Sequence, residues 1–62
     1  MKRYEVTSNY GTSVMETEQD AINAMWLLGT YHDIKISPGA VRAGLRKNGF
    51  YEIFPLSVVT CG

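Results

Sequence analysis

The chain has 62 residues, and its six basic and six acidic side chains cancel. A chain of this length forms one domain, residues 1–62, and buries only about 60% of the surface that its unfolded form exposes, which argues against a large enclosed active site. The neutral balance excludes the global positive field of a protein that grips duplex phosphates without sequence preference.

Three features of the chain indicate its compartment. Cys61 is the single cysteine, so no intramolecular disulfide can form, whereas small secreted domains usually need several. The first residues lack the apolar region of a signal peptide, and no stretch approaches the roughly 18 apolar residues of a membrane span. We therefore expect a soluble, intracellular protein of the cytoplasm.

The N-terminal part of the chain predicts a β-hairpin. Residues 2–7 alternate, with Tyr4 and Val6 on one face, as in a half-buried strand. Residues 8–12 favour a turn, and residues 13–16 return as a shorter second strand. Tyr10 lies in the turn, where its ring gains nothing from the core of the chain. It is a candidate contact residue, and the alternative is a ring folded back over the hairpin.

A first helix is expected after Thr17, whose side chain offers an N-cap oxygen. Glu18 and Asp20 favour the positive end of this helix. One stripe of the helix is apolar and predicts its core face, with Ala21, Ala24, Met25 and Leu28 as members. The helix ends either at Gly29, as a left-handed cap, or near His32.

The apolar surface of this helix is wider than one sheet face needs. Ile22 and Trp26 fall on one shoulder of the stripe, and Leu27 falls on the other. We expect Trp26 or Leu27 to face a partner.

Residues 34–51 form the most basic part of the chain. This stretch contains four of the six basic residues, namely Lys35, Arg42, Arg46 and Lys47, and no acidic residue. Ser37 as N-cap, Pro38 at the first helical position and Gly49 as the stop predict a helix over residues 38–48. Its charge pattern makes it the best candidate for a working surface.

The two sides of this second helix differ in chemistry. Val41 and Leu45 are expected to pack inward. The outer side presents small residues and cations, which are Gly39, Arg42, Ala43, Arg46 and Lys47. Small residues allow another backbone to approach while guanidinium groups reach around them. The alternative is a solvated face whose cations favour the helix C-terminus.

Residues 50–60 are rich in β-forming side chains, but Pro55 interrupts them and implies an edge, a bulge or two short strands. Simple alternation places apolar side chains on both faces. Phe54, Leu56 and Val58 fall on one face, and Tyr51, Ile53 and Val59 fall on the other. This pattern indicates either a central strand or burial against another molecule.

The residues for catalysis or metal binding are few. His32 is the single histidine, and it lacks the separate nucleophile that triad chemistry requires. Zinc usually takes three or four ligands at compatible spacing, which His32 and Cys61 do not supply. The acidic residues Glu16, Glu18 and Asp20 are explained by the start of a helix. We expect no enzymatic activity, no metal and no cofactor.

The sequence therefore predicts an α+β domain of order β-β-α-α-β, with a small antiparallel sheet covered on one face by two helices. We expect a small non-enzymatic binding protein, an inhibitor or adaptor of the kind that phages and mobile elements use. In this interpretation the basic helix docks on an acidic surface of a larger protein or nucleoprotein machine. The expected partner-binding residues are Arg42, Arg46, Lys47, Lys35, Gly39, Ala43, Tyr10 and Trp26.

Two alternatives remain open. The first is a nucleic-acid-binding regulator, for DNA or RNA, that uses helix 38–48 as a helix-turn-helix-like recognition element. The second is a homodimer that buries Trp26 and Leu27 together with the face formed by Phe54, Leu56 and Val58.

Overall fold

The structure, a computed structural model, describes residues 2–62 and confirms the α+β class. The elements are β1 (Arg3–Ser8), β2 (Gly11–Met15), α1 (Glu18–Tyr31), α2 (Pro38–Asn48), β3 (Phe50–Ile53) and β4 (Leu56–Cys61). The four strands form one antiparallel sheet in the order β2-β1-β4-β3. Both helices pack on one face of this sheet, as expected.

Side-chain caps start both helices where the sequence predicted them. Thr17 Oγ1 accepts a hydrogen bond from the Asp20 N–H at 3.1 Å, and Ser37 Oγ accepts one from the Ala40 N–H at 3.4 Å. Each cap satisfies a backbone donor that has no partner within its helix. At the end of α2, Gly49 adopts a left-handed conformation with φ of 82° and donates to the Leu45 carbonyl at 3.0 Å.

The first helix passes through Gly29 and ends at Tyr31, with His32 as its C-cap. Gly29 is buried inside the helix because the following linker crosses it closely: the Ile34 N–H donates to the Gly29 carbonyl at 2.7 Å. A Cβ atom at this position would lie 2.7 Å from the Ile34 carbonyl oxygen and would overlap the Ile36 side chain. The linker thereby reaches the core, where Ile36 is buried.

The C-terminal β segment divides into two strands that reverse at Phe54–Pro55, a cis peptide. β4 is central, between β1 and β3, and β3 is an edge. The prediction that Phe54 shares a face with Leu56 and Val58 is wrong, because the turn interrupts the alternation. Phe54 is 90% exposed, whereas Leu56 and Val58 are fully buried.

The core lies between the sheet and the two helices. Its buried apolar residues are Tyr4, Val6, Ala21, Ile22, Met25, Ile36, Val41, Leu45, Leu56 and Val58. Tyr51 and Ile53 pack against this cluster from β3, on the same side as Leu56 and Val58 because those residues are their register partners. The prediction that Leu56 and Val58 form part of a homodimer face is therefore wrong, since both side chains lie in the chain's own core.

Candidate functional site

The two arginines of α2 are held by the first turn of α1. Arg46 donates to the Glu18 carboxylate from Nε at 3.2 Å and from Nη2 at 3.0 Å. Arg42 donates from Nη2 to Gln19 Oε1 at 2.9 Å, and its Nε lies 3.5 Å from Glu18 Oε1. Because the start of α1 meets the end of α2, the helices run antiparallel and the arginines lie side by side.

These ion pairs perturb the groups that form them. The hydrogen bond from Arg46, reinforced by the charges of Arg46, Arg42 and Lys2, holds the pKa of Glu18 below its ordinary value. The same hydrogen bond raises the pKa of Arg46. The outer side of α2 lacks acidic residues in the sequence, but in the folded chain Glu18 supplies one from α1. Sequence reasoning missed this contact, although opposite charges at the ends of two joined helices are a signal for it.

We call the exposed side of the helix pair the helix-pair face. It consists of Gln19, Asn23 and Trp26 from α1 and of Gly39, Arg42, Ala43 and Arg46 from α2. Gln19, Asn23 and Trp26 follow at intervals of four and three residues, so they line one side of α1. A hydrogen bond of 3.1 Å from Gln19 Nε2 to Asn23 Oδ1 links the first two. The fold thus gathers five of the eight predicted partner-binding residues.

Trp26 and Lys35 lie beside a shallow groove at one end of this face. The groove has a volume of about 410 Å³, and it is lined by Trp26, Gly29, Thr30, Asp33, Ile34, Lys35 and Ile36. Trp26 remains 54% exposed. The tryptophan and one lysine of the basic segment are therefore neighbours across the groove.

Tyr10 and Lys47 lie outside the helix-pair face. The Tyr10 ring packs against His32, with ring centroids 5.1 Å apart and a 37° tilt, and Tyr10 is 74% exposed. The ring therefore contacts the C-cap of α1, at the end opposite Gln19 and about 20 Å from it at 1.5 Å per residue. Lys47 is exposed on α2, four residues after Ala43, so it borders the helix-pair face without being one of the residues that define it.

A second surface, the open face of the sheet, was not predicted. Its exposed apolar side chains are Val14, Phe50 and Val59. Among them lies a polar contact in which the Cys61 thiol donates to Glu5 Oε2 at 3.4 Å. This hydrogen bond, together with partial burial, raises the pKa of Cys61. The alternation of β1 could have located the face, but the pairing of Glu5 with Cys61 depends on the strand order.

Within residues 2–62, no three His, Cys, Asp or Glu side chains are grouped so that they could hold a metal ion. In the same range, no helix is both long enough and apolar enough to cross a membrane. Comparison with known proteins finds no matching family model, no matching curated protein and no matching solved structure.

Proposed function

We propose that this chain is a small non-enzymatic binding protein that docks on an acidic surface of a larger protein through the helix-pair face. One observation carries the proposal: Arg42 and Arg46 are held side by side on an exposed surface that also presents Trp26. Arginine and tryptophan are the residue types most enriched among interface residues that dominate binding energy. An inhibitor or adaptor is the functional type that such a surface suits.

The contact with Glu18 leaves the arginines available to a partner. The side chains of Arg46 and Glu18 are 68% and 25% exposed, and pairs as exposed as this one contribute little to stability because water and salt screen them. Arg46 uses Nε and Nη2 in this contact, so Nη1 can donate to a second carboxylate. We infer that Glu18 orients the two guanidinium groups and so lowers the entropy lost on binding.

The shape of the surface supports contact with another backbone. Gly39 lies three residues before Arg42 and Ala43 three residues before Arg46, so each small residue neighbours an arginine on α2, and both small residues are exposed. A Cβ atom on Gly39 would meet no neighbour closer than 4.0 Å. Small residues beside arginine guanidinium groups let a partner chain approach closely enough for each guanidinium to donate two parallel hydrogen bonds.

Affinity capture from the native host, followed by titration calorimetry with the purified partner, tests this proposal. The double variant Arg42→Gln, Arg46→Gln removes two charges without introducing repulsion at Glu18, and we expect it to weaken binding by about tenfold or more. Trp26→Ala should weaken binding by a similar factor.

The control is Arg3→Gln, which removes a positive charge from the open face of the sheet, where Arg3 lies opposite Cys61 of β4. It should leave the affinity within about twofold, since charges outside an interface act mainly on the association rate. Equal affinity for the wild type and the Arg42, Arg46 variant would show that the helix-pair face is not the docking surface.

Salt dependence separates a protein partner from nucleic acid. Binding to a DNA duplex weakens with a log-log slope of about −0.9 for each phosphate neutralised. We expect no binding of a mixed-sequence DNA duplex or single-stranded RNA at low salt. A shift with either probe that disappears in the Arg42, Arg46 variant would instead assign helix 38–48 to a nucleic-acid-binding regulator.

A further inference from the structure

The two edges of the sheet differ in how they are protected. β3 is four residues long, carries Glu52 and ends two residues before Pro55. Short length, charge and proline are the devices by which proteins keep edge strands from pairing with other chains. β2 (Gly11–Met15) is only one residue longer, but it contains no charged residue and no proline, and only Met15 is partly buried.

The hydrogen-bonding direction of β2 follows from the strand registers. The Thr60 N–H donates to the Gly49 carbonyl at 2.8 Å, so Thr60 and Val58 point their backbone groups toward β3. The direction of the backbone hydrogen bonds alternates along a strand. The N–H and C=O groups of Val59 therefore point toward Glu5 of β1, and those of Val6 in β1 point toward Ser13 of β2.

The remaining β2 residues point the other way. By the same alternation, the N–H and C=O groups of Thr12 and Val14 face away from β1, into solvent. The hydroxyl oxygens of Thr7 and Thr12 lie 3.1 Å apart, as expected for the closer, non-hydrogen-bonded type of antiparallel pair. Two consecutive ladder positions are therefore open on this edge.

We propose that β2 pairs with β2 of a second copy of this chain, antiparallel and centred on Ser13, so that two four-stranded sheets become one. In this register Thr12 lies opposite Val14 of the partner subunit, and Val14 lies opposite Thr12 of the partner subunit. In each such pair, the N–H of each residue donates to the C=O of the other. The outward N–H and C=O groups of Thr12 and Val14 are therefore satisfied in both copies.

The side chains of β2 suit a second copy. Thr12 and Val14 are both β-branched, and cross-strand pairs of this type stabilise sheets. No charged residue faces a like charge, since β2 has no charge and Glu16 of each chain lies beyond opposite ends of the paired segment. A two-fold axis through Ser13 closes the contact on itself, so the assembly stops at a dimer.

The dimer should be weak, because one strand pair of this length falls below the roughly 1,200 Å² that stable interfaces bury. Sedimentation equilibrium up to about 1 mM protein should show reversible self-association. A monomer over the whole range would overturn the proposal.

Amide hydrogen exchange followed by NMR identifies the edge. In dilute protein the Ser13 amide should be protected by β1, and the Thr12 and Val14 amides should exchange freely. At concentrations where the dimer forms, the Thr12 and Val14 amides should gain protection of about tenfold or more. A dimer in which these two amides stay unprotected would place the interface elsewhere.

Thr12→Pro removes an outward N–H from β2 and leaves the bonds to β1 intact, so the chain should keep its fold, which circular dichroism checks. It should raise the dimer Kd about tenfold or more, since two symmetry-related hydrogen bonds are lost. Glu52→Pro is the matched control, because the Glu52 N–H faces outward from the opposite edge by the same alternation. If Glu52→Pro abolishes the dimer and Thr12→Pro does not, the β2 pairing is wrong.

Discussion

Glu18 illustrates how one side chain serves two structural purposes. Its position in the first turn of α1 favours the positive end of the helix, which its place after Thr17 already indicates. Its carboxylate also accepts both hydrogen bonds from Arg46, 28 residues later. The first purpose is local and readable from the sequence. The second depends on how the helices pack, and so requires the tertiary structure.

Glu18→Gln should change how the thermal stability of the protein depends on pH in the acidic range. The folded pKa of Glu18 lies below its ordinary value of 4.5, so the carboxylate stabilises the fold above that pH, and this contribution is lost as the pH falls through the folded pKa. At pH 7 the variant should melt less than about 5 °C below the wild type, because the pair is exposed. At an acidic pH below the folded pKa of Glu18 the two melting curves should converge, as thermal denaturation followed by circular dichroism can show.

The control for this prediction is Glu16→Gln, which removes the same charge two residues earlier. Glu16 makes no ion pair within residues 2–62, so its variant should melt like the wild type at both pH values. A constant melting difference between Glu18→Gln and the wild type from pH 7 to pH 3 would contradict the ion-pair account.

Among the secondary-structure elements, α1 shows where local propensity is overruled. Glycine inside a helix costs about 1 kcal/mol relative to alanine, which made Gly29 a candidate helix end. The helix continues through Gly29 because the absence of a Cβ lets the linker with Ile34 and Ile36 cross it closely. The linker also stabilises the fold, because its residue Ile36 is buried in the apolar core.

Gly29→Ala should destabilise the protein although it improves helix propensity. The added methyl group would lie 2.7 Å from the Ile34 carbonyl oxygen, and overpacking of this kind costs about 1–3 kcal/mol. Gly39→Ala is the matched control on α2, where open space surrounds the new methyl group. It should stabilise the protein by about 0.4–1 kcal/mol. Urea denaturation of both variants measures these opposite signs, and a stabilised Gly29→Ala would show that the linker does not cross the helix as described.

For the whole molecule, the decisive feature is the reversal between β3 and β4. It brings the apolar side chains of two strands onto the face that the helices cover, so that one core takes residues expected on two faces. A domain of this size has a stability of only about 3–9 kcal/mol, by the usual 0.05–0.15 kcal/mol per residue. Loss of one large core side chain is therefore a large fraction of the total.

Leu56→Ala should cost about 2–5 kcal/mol and leave a substantial part of the protein unfolded at 37 °C. Phe54→Ala, two residues earlier, should change the stability by less than about 0.5 kcal/mol, because Phe54 is 90% exposed. Thermal and urea denaturation give both values. Comparable losses in the two variants would restore the prediction that Phe54 and Leu56 share a buried face.

The sequence by itself determined the class, the order β-β-α-α followed by a C-terminal β segment, and the starts of both helices, because these depend on alternation, helical periodicity and caps within a few residues. It also marked Val41 and Leu45 as inward and Arg42 and Arg46 as outward. Only the tertiary structure decided the strand order, the pairing of Glu18 with the two arginines, the passage of α1 through Gly29 and the open edge of β2. These features arise from contacts between residues distant along the chain, whose register no local pattern specifies.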